Sequence, residues 1–88
     1  MPPGPLAATG DRPHALALYR QALAMNRELN KPDDEAISLE GIADHHLAVG
    51  ETVEAATHLH QALEIYQRLG MGTDAQRVQL RLADPASP

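Results

Sequence analysis

LHQALEIYQRLG, residues 59–70, is the second writing of a sentence that first runs as YRQALAMNRELN over residues 19–30. Gln21-Ala22-Leu23 returns as Gln61-Ala62-Leu63, Leu29 returns as Leu69, and Asn30 is replaced by Gly70. A shift of forty residues also lays Gly10 on Gly50, Asp11 on Glu51, Ala15 on Ala55, Asp34 on Asp74 and Ala43 on Ala83. Starts, stops and small residues repeat along with the apolar ones. A chance amphipathic helix would repeat only its apolar positions, so this punctuation marks a helical-hairpin repeat.

Working outward, the periodicity predicts four helices near residues 11–29, 33–49, 52–69 and 73–83. In the first, Ala15, Tyr19, Ala22, Asn26 and Leu29 lie along one face, widened by Leu16, Leu18 and Leu23. Pro13 is tolerated in its opening turn, Asn30 can take the left-handed cap conformation, and Pro32 blocks continuation. The second helix starts at KPDDEA, where Asp33 can cap and Asp34 and Glu35 complement the dipole. Its apolar members are Ile37, Leu39, Ile42, Ala43, His46 and Leu47, and Gly50 ends it. The third carries Ala55, Leu59, Ala62, Tyr66 and Leu69 up to Gly70. Thr73-Asp74-Ala75-Gln76 reads as a capping box ahead of Val78, Leu80 and Leu82 in the fourth. No stretch alternates as a strand would. Residues 1–10, with three Pro and two Gly, read as a disordered tail, and residues 85–88 as another.

The composition excludes several function classes. The 88 residues allow one small domain, and the lack of cysteine removes disulfides and thiolate metal sites. No apolar run reaches the roughly 20 residues that cross a bilayer, and the N-terminus lacks the pattern of a secretion signal. No membrane partner and a cytoplasmic location are expected. The net charge of −5 is unevenly spread. Residues 28–66 hold nine acids against Lys31 alone, whereas arginines outnumber acids on either side. An acidic middle repels phosphate backbones, so no direct nucleic-acid binding is expected.

Chemistry-bearing residues are few. His45 and His46 are adjacent and diverge by about 100° on a helix, and His58 and His60 are two apart. No pair has the i,i+4 spacing of a helical zinc site, so the expectation is no metal, with His46 in an aromatic slot and the others exposed. Glu40 and Asp44 form an i,i+4 acidic pair, but acid–base work needs an enclosed pocket. There is no phosphate loop, nucleophile elbow or cysteine nucleophile. The chain is therefore expected not to be an enzyme and to need no cofactor.

The spaced large and small residues resemble the tetratricopeptide repeat. The matching positions are Leu39, Ile42, Ala43, His46, Gly50, Ala55, Leu59 and Ala62, and Gly10, Ala15, Tyr19 and Ala22 repeat the second half. The spacing has its own physical reason: helices approach to about 8–9 Å only where small side chains meet large ones. Gln67 stands where the family usually has Pro, and the repeat spans 40 residues instead of 34. Long repeats with such helix ends resemble the arrays at the C-termini of actinobacterial NTPase-type transcriptional regulators and related signalling proteins, which implies, as an alternative function, the regulatory C-terminal part of such a regulator. The resemblance implies an all-α fold of antiparallel hairpins stacked as a short solenoid of about four helices. It also implies a protein–protein interaction scaffold whose concave groove is lined by Ile37, Glu40, Asp44 and Leu47, bordered by Arg77 and Arg81. The expected partner is a protein or peptide of basic or mixed charge.

The chain holds the second half of one repeat, a complete repeat and the first half of another. LAATG before Asp11 reads like the end of a preceding helix. Helical arrays generally need about three repeats. The expectation is therefore a piece of a longer array, or a structural segment that self-associates. A homodimer through the 11–29 end helix is the second form this could take.

Overall fold

The computed structural model describes residues 12–83. The helices are α1 (Arg12–Glu28), α2 (Pro32–Ala48), α3 (Thr52–Arg68) and α4 (Gly72–Ala83). Both sequence tails, Gly10, Asp11 and Asp84 lie outside the described residues. No helix among them is long and apolar enough to cross a membrane.

Three turns of one design join the helices. Asn30, Gly50 and Gly70 sit at φ of 55°, 80° and 72°, a region that an L side chain enters at a cost and glycine enters freely. In each, the left-handed residue donates its N–H three residues back: Asn30 to the Arg27 carbonyl, Gly50 to Leu47, Gly70 to Gln67. The next residue donates five back: Lys31 to Asn26, Glu51 to His46, Met71 to Tyr66. This double closure satisfies carbonyls the helix end would otherwise leave bare. The turns recur every twenty residues, so each helix plus its turn is one half of the forty-residue repeat.

Two expected starts are corrected. α2 begins at Pro32 with Lys31 at its cap and no side-chain cap hydrogen bond, so Asp33 lies inside the first turn beside Asp34 and Glu35. α4 begins at Gly72, which places Thr73 within the helix and not at the cap of a capping box. In both cases the preceding turn sets the first helical residue, because its backbone already points the chain into the next helix. The acids of α2 still offset the dipole there.

Each helix packs on its chain neighbours, α1 on α2, α2 on α3 and α3 on α4. At the central crossing Ala43, Ala55 and Ala62 are wholly buried, with Leu39, Ile42 and Leu59 filled in around them. Ala36, Ile65, Tyr66, Ala75 and Val78 extend this core, and α1 adds Leu23 with Leu16 packed against it.

α2 buries more than its apolar members. It lies between two helices, so Ser38, Glu40 and Gly41 are buried as well, while Ile37 is 59% exposed. α1 docks through a close approach that the periodicity did not reveal. A Cβ on Gly41 would lie 2.4 Å from the Tyr19 ring, so the missing side chain makes room for that tyrosine. Asn26 Nδ2 donates to Ser38 Oγ at 3.2 Å, and Arg27 Nε to Glu35 Oε2 at 3.0 Å, across the same contact. Leu29, Leu69 and Leu80, expected on apolar faces, are exposed: the first two fall in turns, and Leu80 points away from α3.

Ala62→Leu should overpack the crossing and lower stability by roughly 1–3 kcal/mol, measured by urea unfolding against the parent chain. The same change at exposed Gln61 should cost little.

Candidate partner groove

Ile37, Glu40, Asp44 and Leu47 recur at intervals of three and four, so they share one strip of α2. Arg77 and Arg81 share a strip of α4 by the same rule. The backbones of α2 and α4 do not pack on each other, because α3 separates them. Long side chains make the connection instead.

Glu40 is the centre of it. Tyr66 on α3 donates its hydroxyl to Glu40 Oε2 at 2.6 Å. Arg77 holds the same carboxylate with both terminal nitrogens, Nη1 on Oε1 and Nη2 on Oε2, the latter at 3.2 Å. Arg81 Nη1 stands 3.5 Å from Oε1, and its other nitrogen pairs with Asp44. Arg77 also meets Asp74 at 2.8 Å, and its guanidinium lies 5.9 Å from the Tyr66 ring centroid. The pairs Glu40–Arg77 and Asp44–Arg81 are both 37 residues apart, so one i,i+4 ladder meets another of opposite sign in register.

This strip of α2 therefore does not offer bare carboxylates, as the acidic pair alone implied. Glu40 is 7% exposed and its oxygens are occupied from within. A carboxylate at that depth is stable only when donors surround it, and α3 and α4 supply them. Asp44 keeps 63% of its side chain in solvent and Arg77 keeps 47%, so the rim carries both signs. Ile37 stands exposed at one end of the strip and Leu47 is half-buried at the other.

Tyr66 was legible in the sequence only as an apolar-face residue. Its second role follows from burial: a buried phenol needs a hydrogen-bond partner, and Glu40 is within reach. Burial first, and then the Glu40 hydrogen bond and charge, push the Tyr66 hydroxyl up from 10.0 to about 12. Hydrogen bonding to Glu40 and Asp74 raises the Arg77 guanidinium, which stays charged. The network is thus an ion cluster capped by a neutral phenol.

The histidines also depart from expectation. His46 is buried as expected, but its ring neighbours are the imidazoles of His45 and His58, with centroids 5.4 and 5.2 Å away. His45 and His58 are half-buried and not exposed, because α3 folds back over the end of α2. His14 and His60 are exposed.

Sequential antiparallel helices with small residues at their crossings define a helical-repeat fold. A family model described as tetratricopeptide repeat matches residues 6–68. The chain belongs to the tetratricopeptide repeat family, whose repeats mediate protein–protein interaction. No curated protein and no solved structure matches it closely enough to add to that.

Because the folded state holds Tyr66 protonated beyond its ordinary range, its contribution to stability is complete below pH 10 and is lost as pH rises towards 12. Thermal melts across that window should show a steeper alkaline loss for the parent than for Tyr66→Phe, by roughly 2 kcal/mol.

Proposed function

We propose that the chain is a non-catalytic scaffold that holds a protein segment of mixed charge along the groove between α2 and α4. The observation that carries this reading is Ile37, 59% exposed on the same strip as the ion cluster, where nothing in the fold's own core requires an isoleucine. A ligand segment would place an apolar side chain on Ile37, a basic group at Asp44 and an acidic group at the free edge of Arg77. Glu40 organises the groove and does not itself meet the partner, because Tyr66, Arg77 and Arg81 already occupy it. The forty-residue spacing supports a place among the long-repeat arrays of cytoplasmic bacterial regulators.

A photo-crosslinking residue at Ile37, expressed in the native host, should capture a discrete protein. The capture should weaken with added salt, because rim charges are screened over about 8–10 Å. It should be lost with Asp44→Lys and should not occur from exposed Glu64 on α3. Equal capture from both positions would place the interface elsewhere.

A second reading, self-assembly through α1, draws on a different observation. Leu18, Met25 and Leu29 are 46%, 58% and 57% exposed, and Tyr19 is 42% exposed beside them. Each leucine taken from water is worth roughly 1.5–3 kcal/mol, which favours pairing of such a strip. Sedimentation over a concentration series should then show a dimer that Leu18→Asp dissociates. A parent chain that remains monomeric throughout removes this reading and leaves the groove untouched.

A further inference from the structure

Polar side chains outside the groove converge at the turn between α2 and α3. His45 and His46 occupy the last turn of α2, and Glu51 follows Gly50. The left-handed backbone at Gly50 folds the chain back, so that the Glu51 N–H bonds the His46 carbonyl at 2.8 Å. That fold-back also brings the Glu51 carboxylate to the rings: its Oε1 lies 2.8 Å from His46 Nδ1. One ligand-capable atom from each of His45, His46 and Glu51 lies within 4.8 Å of the other two.

The His45 ring adds an observation of its own. Its Nδ1 is buried and has no hydrogen-bond partner among the described residues. A buried polar atom left bare costs about 1–3 kcal/mol, so such an atom calls for a partner that the polypeptide does not supply. Beside His46 lies the His58 ring, whose Nδ1 faces the Glu54 carbonyl at 2.8 Å. A carbonyl only accepts, so this Nδ1 carries the hydrogen and the ring is held in one orientation. The ring packed beside His46 is therefore fixed in place.

We propose that the α2–α3 turn binds one divalent transition-metal ion, zinc foremost, through a ring nitrogen each of His45 and His46 and the carboxylate of Glu51. Two imidazoles with one carboxylate select zinc, cobalt, nickel or copper over magnesium or calcium, which prefer all-oxygen sites. Bonds of about 2.0–2.2 Å put tetrahedral ligand atoms roughly 3.3 Å apart. The His46–Glu51 pair would open slightly from its present 2.8 Å, and the widest separation would close by about 1.5 Å. Glu51 has the freedom for this, since 49% of its side chain is in solvent. The surplus of acids over residues 28–66 draws cations towards this part of the chain. Three protein ligands leave a fourth position for water or for a side chain of a bound protein.

Sequence spacing within one helix could not reveal this set. Its third member lies beyond the helix end, and only the turn brings it back. Bound there, an ion would tie the end of α2 to the start of α3 and stabilise the central hairpin.

The untagged 88-residue protein, stripped of metal, should bind zinc with one-to-one stoichiometry and a Kd of about 10 µM or tighter in calorimetry. Zinc at about a hundred times Kd should raise the melting midpoint by several degrees. Cobalt should give the visible absorption of a four-coordinate ion, bleached by zinc. His45→Asn and Glu51→Gln should each weaken binding at least tenfold, whereas His60→Asn should not change it. Should His45→Asn fail to fold, Glu51→Gln at its exposed position decides alone. The proposal is overturned if zinc does not saturate one site by about 1 mM, or if Glu51→Gln binds as tightly as the parent.

Discussion

Everything in this fold depends on how closely α2 and α3 approach. Ala43 on one helix and Ala55 and Ala62 on the other are wholly buried, and the larger Leu39, Ile42 and Leu59 close the space around them. Small residues at the crossing let the two backbones come together, and the buried aliphatic area then holds them. Once that pair is set, the two outer helices have surfaces to dock on. α1 uses Leu23 and the notch at Gly41, and α4 uses Ala75 and Val78. Two dockings on one central pair make a layered array whose described helices pack on their chain neighbours, with arginine side chains alone bridging α2 and α4.

The same geometry creates the ion cluster. α4 reaches α2 only across α3, so direct packing is replaced by arginine side chains long enough to bridge the gap. Glu40 sits deep enough to require compensation and receives it from Tyr66, Arg77 and Arg81. Such a pair costs desolvation as well as gaining attraction, so its presence says little about net stability. A one-residue shift of α4 would separate both the Glu40–Arg77 and the Asp44–Arg81 pairs at once. The cluster therefore ties the last helix to α2 and leaves both signs exposed along that rim.

Regular turns extend this control along the chain. Identical closures at Asn30, Gly50 and Gly70 give α2, α3 and α4 the same entry, which is why side-chain caps are dispensable at α2 and α3. The turn at Gly50 also brings together side chains that share no helix face. Glu51 meets His46 through Gly50, and no pattern within either helix announces that contact.

The sequence by itself determined the helical-hairpin architecture, since repetition of small residues, large residues and stops at one interval has no other economical reading. It also carried the identity of the crossing residues, because alanine among leucines at helical spacing encodes close approach locally. Two opposite-signed i,i+4 pairs were visible as well, on separate helices. What tertiary structure alone decided is which of these groups meet. Ile37, counted both among the apolar members of α2 and on the open strip, faces solvent, whereas Glu40 on the same strip is buried. Periodicity assigns residues to a face, but which face is covered depends on two neighbours whose placement is set far along the chain. Charge, hydrogen bonding and the environment of the histidines follow from that placement, and for that reason they are read from the packed molecule.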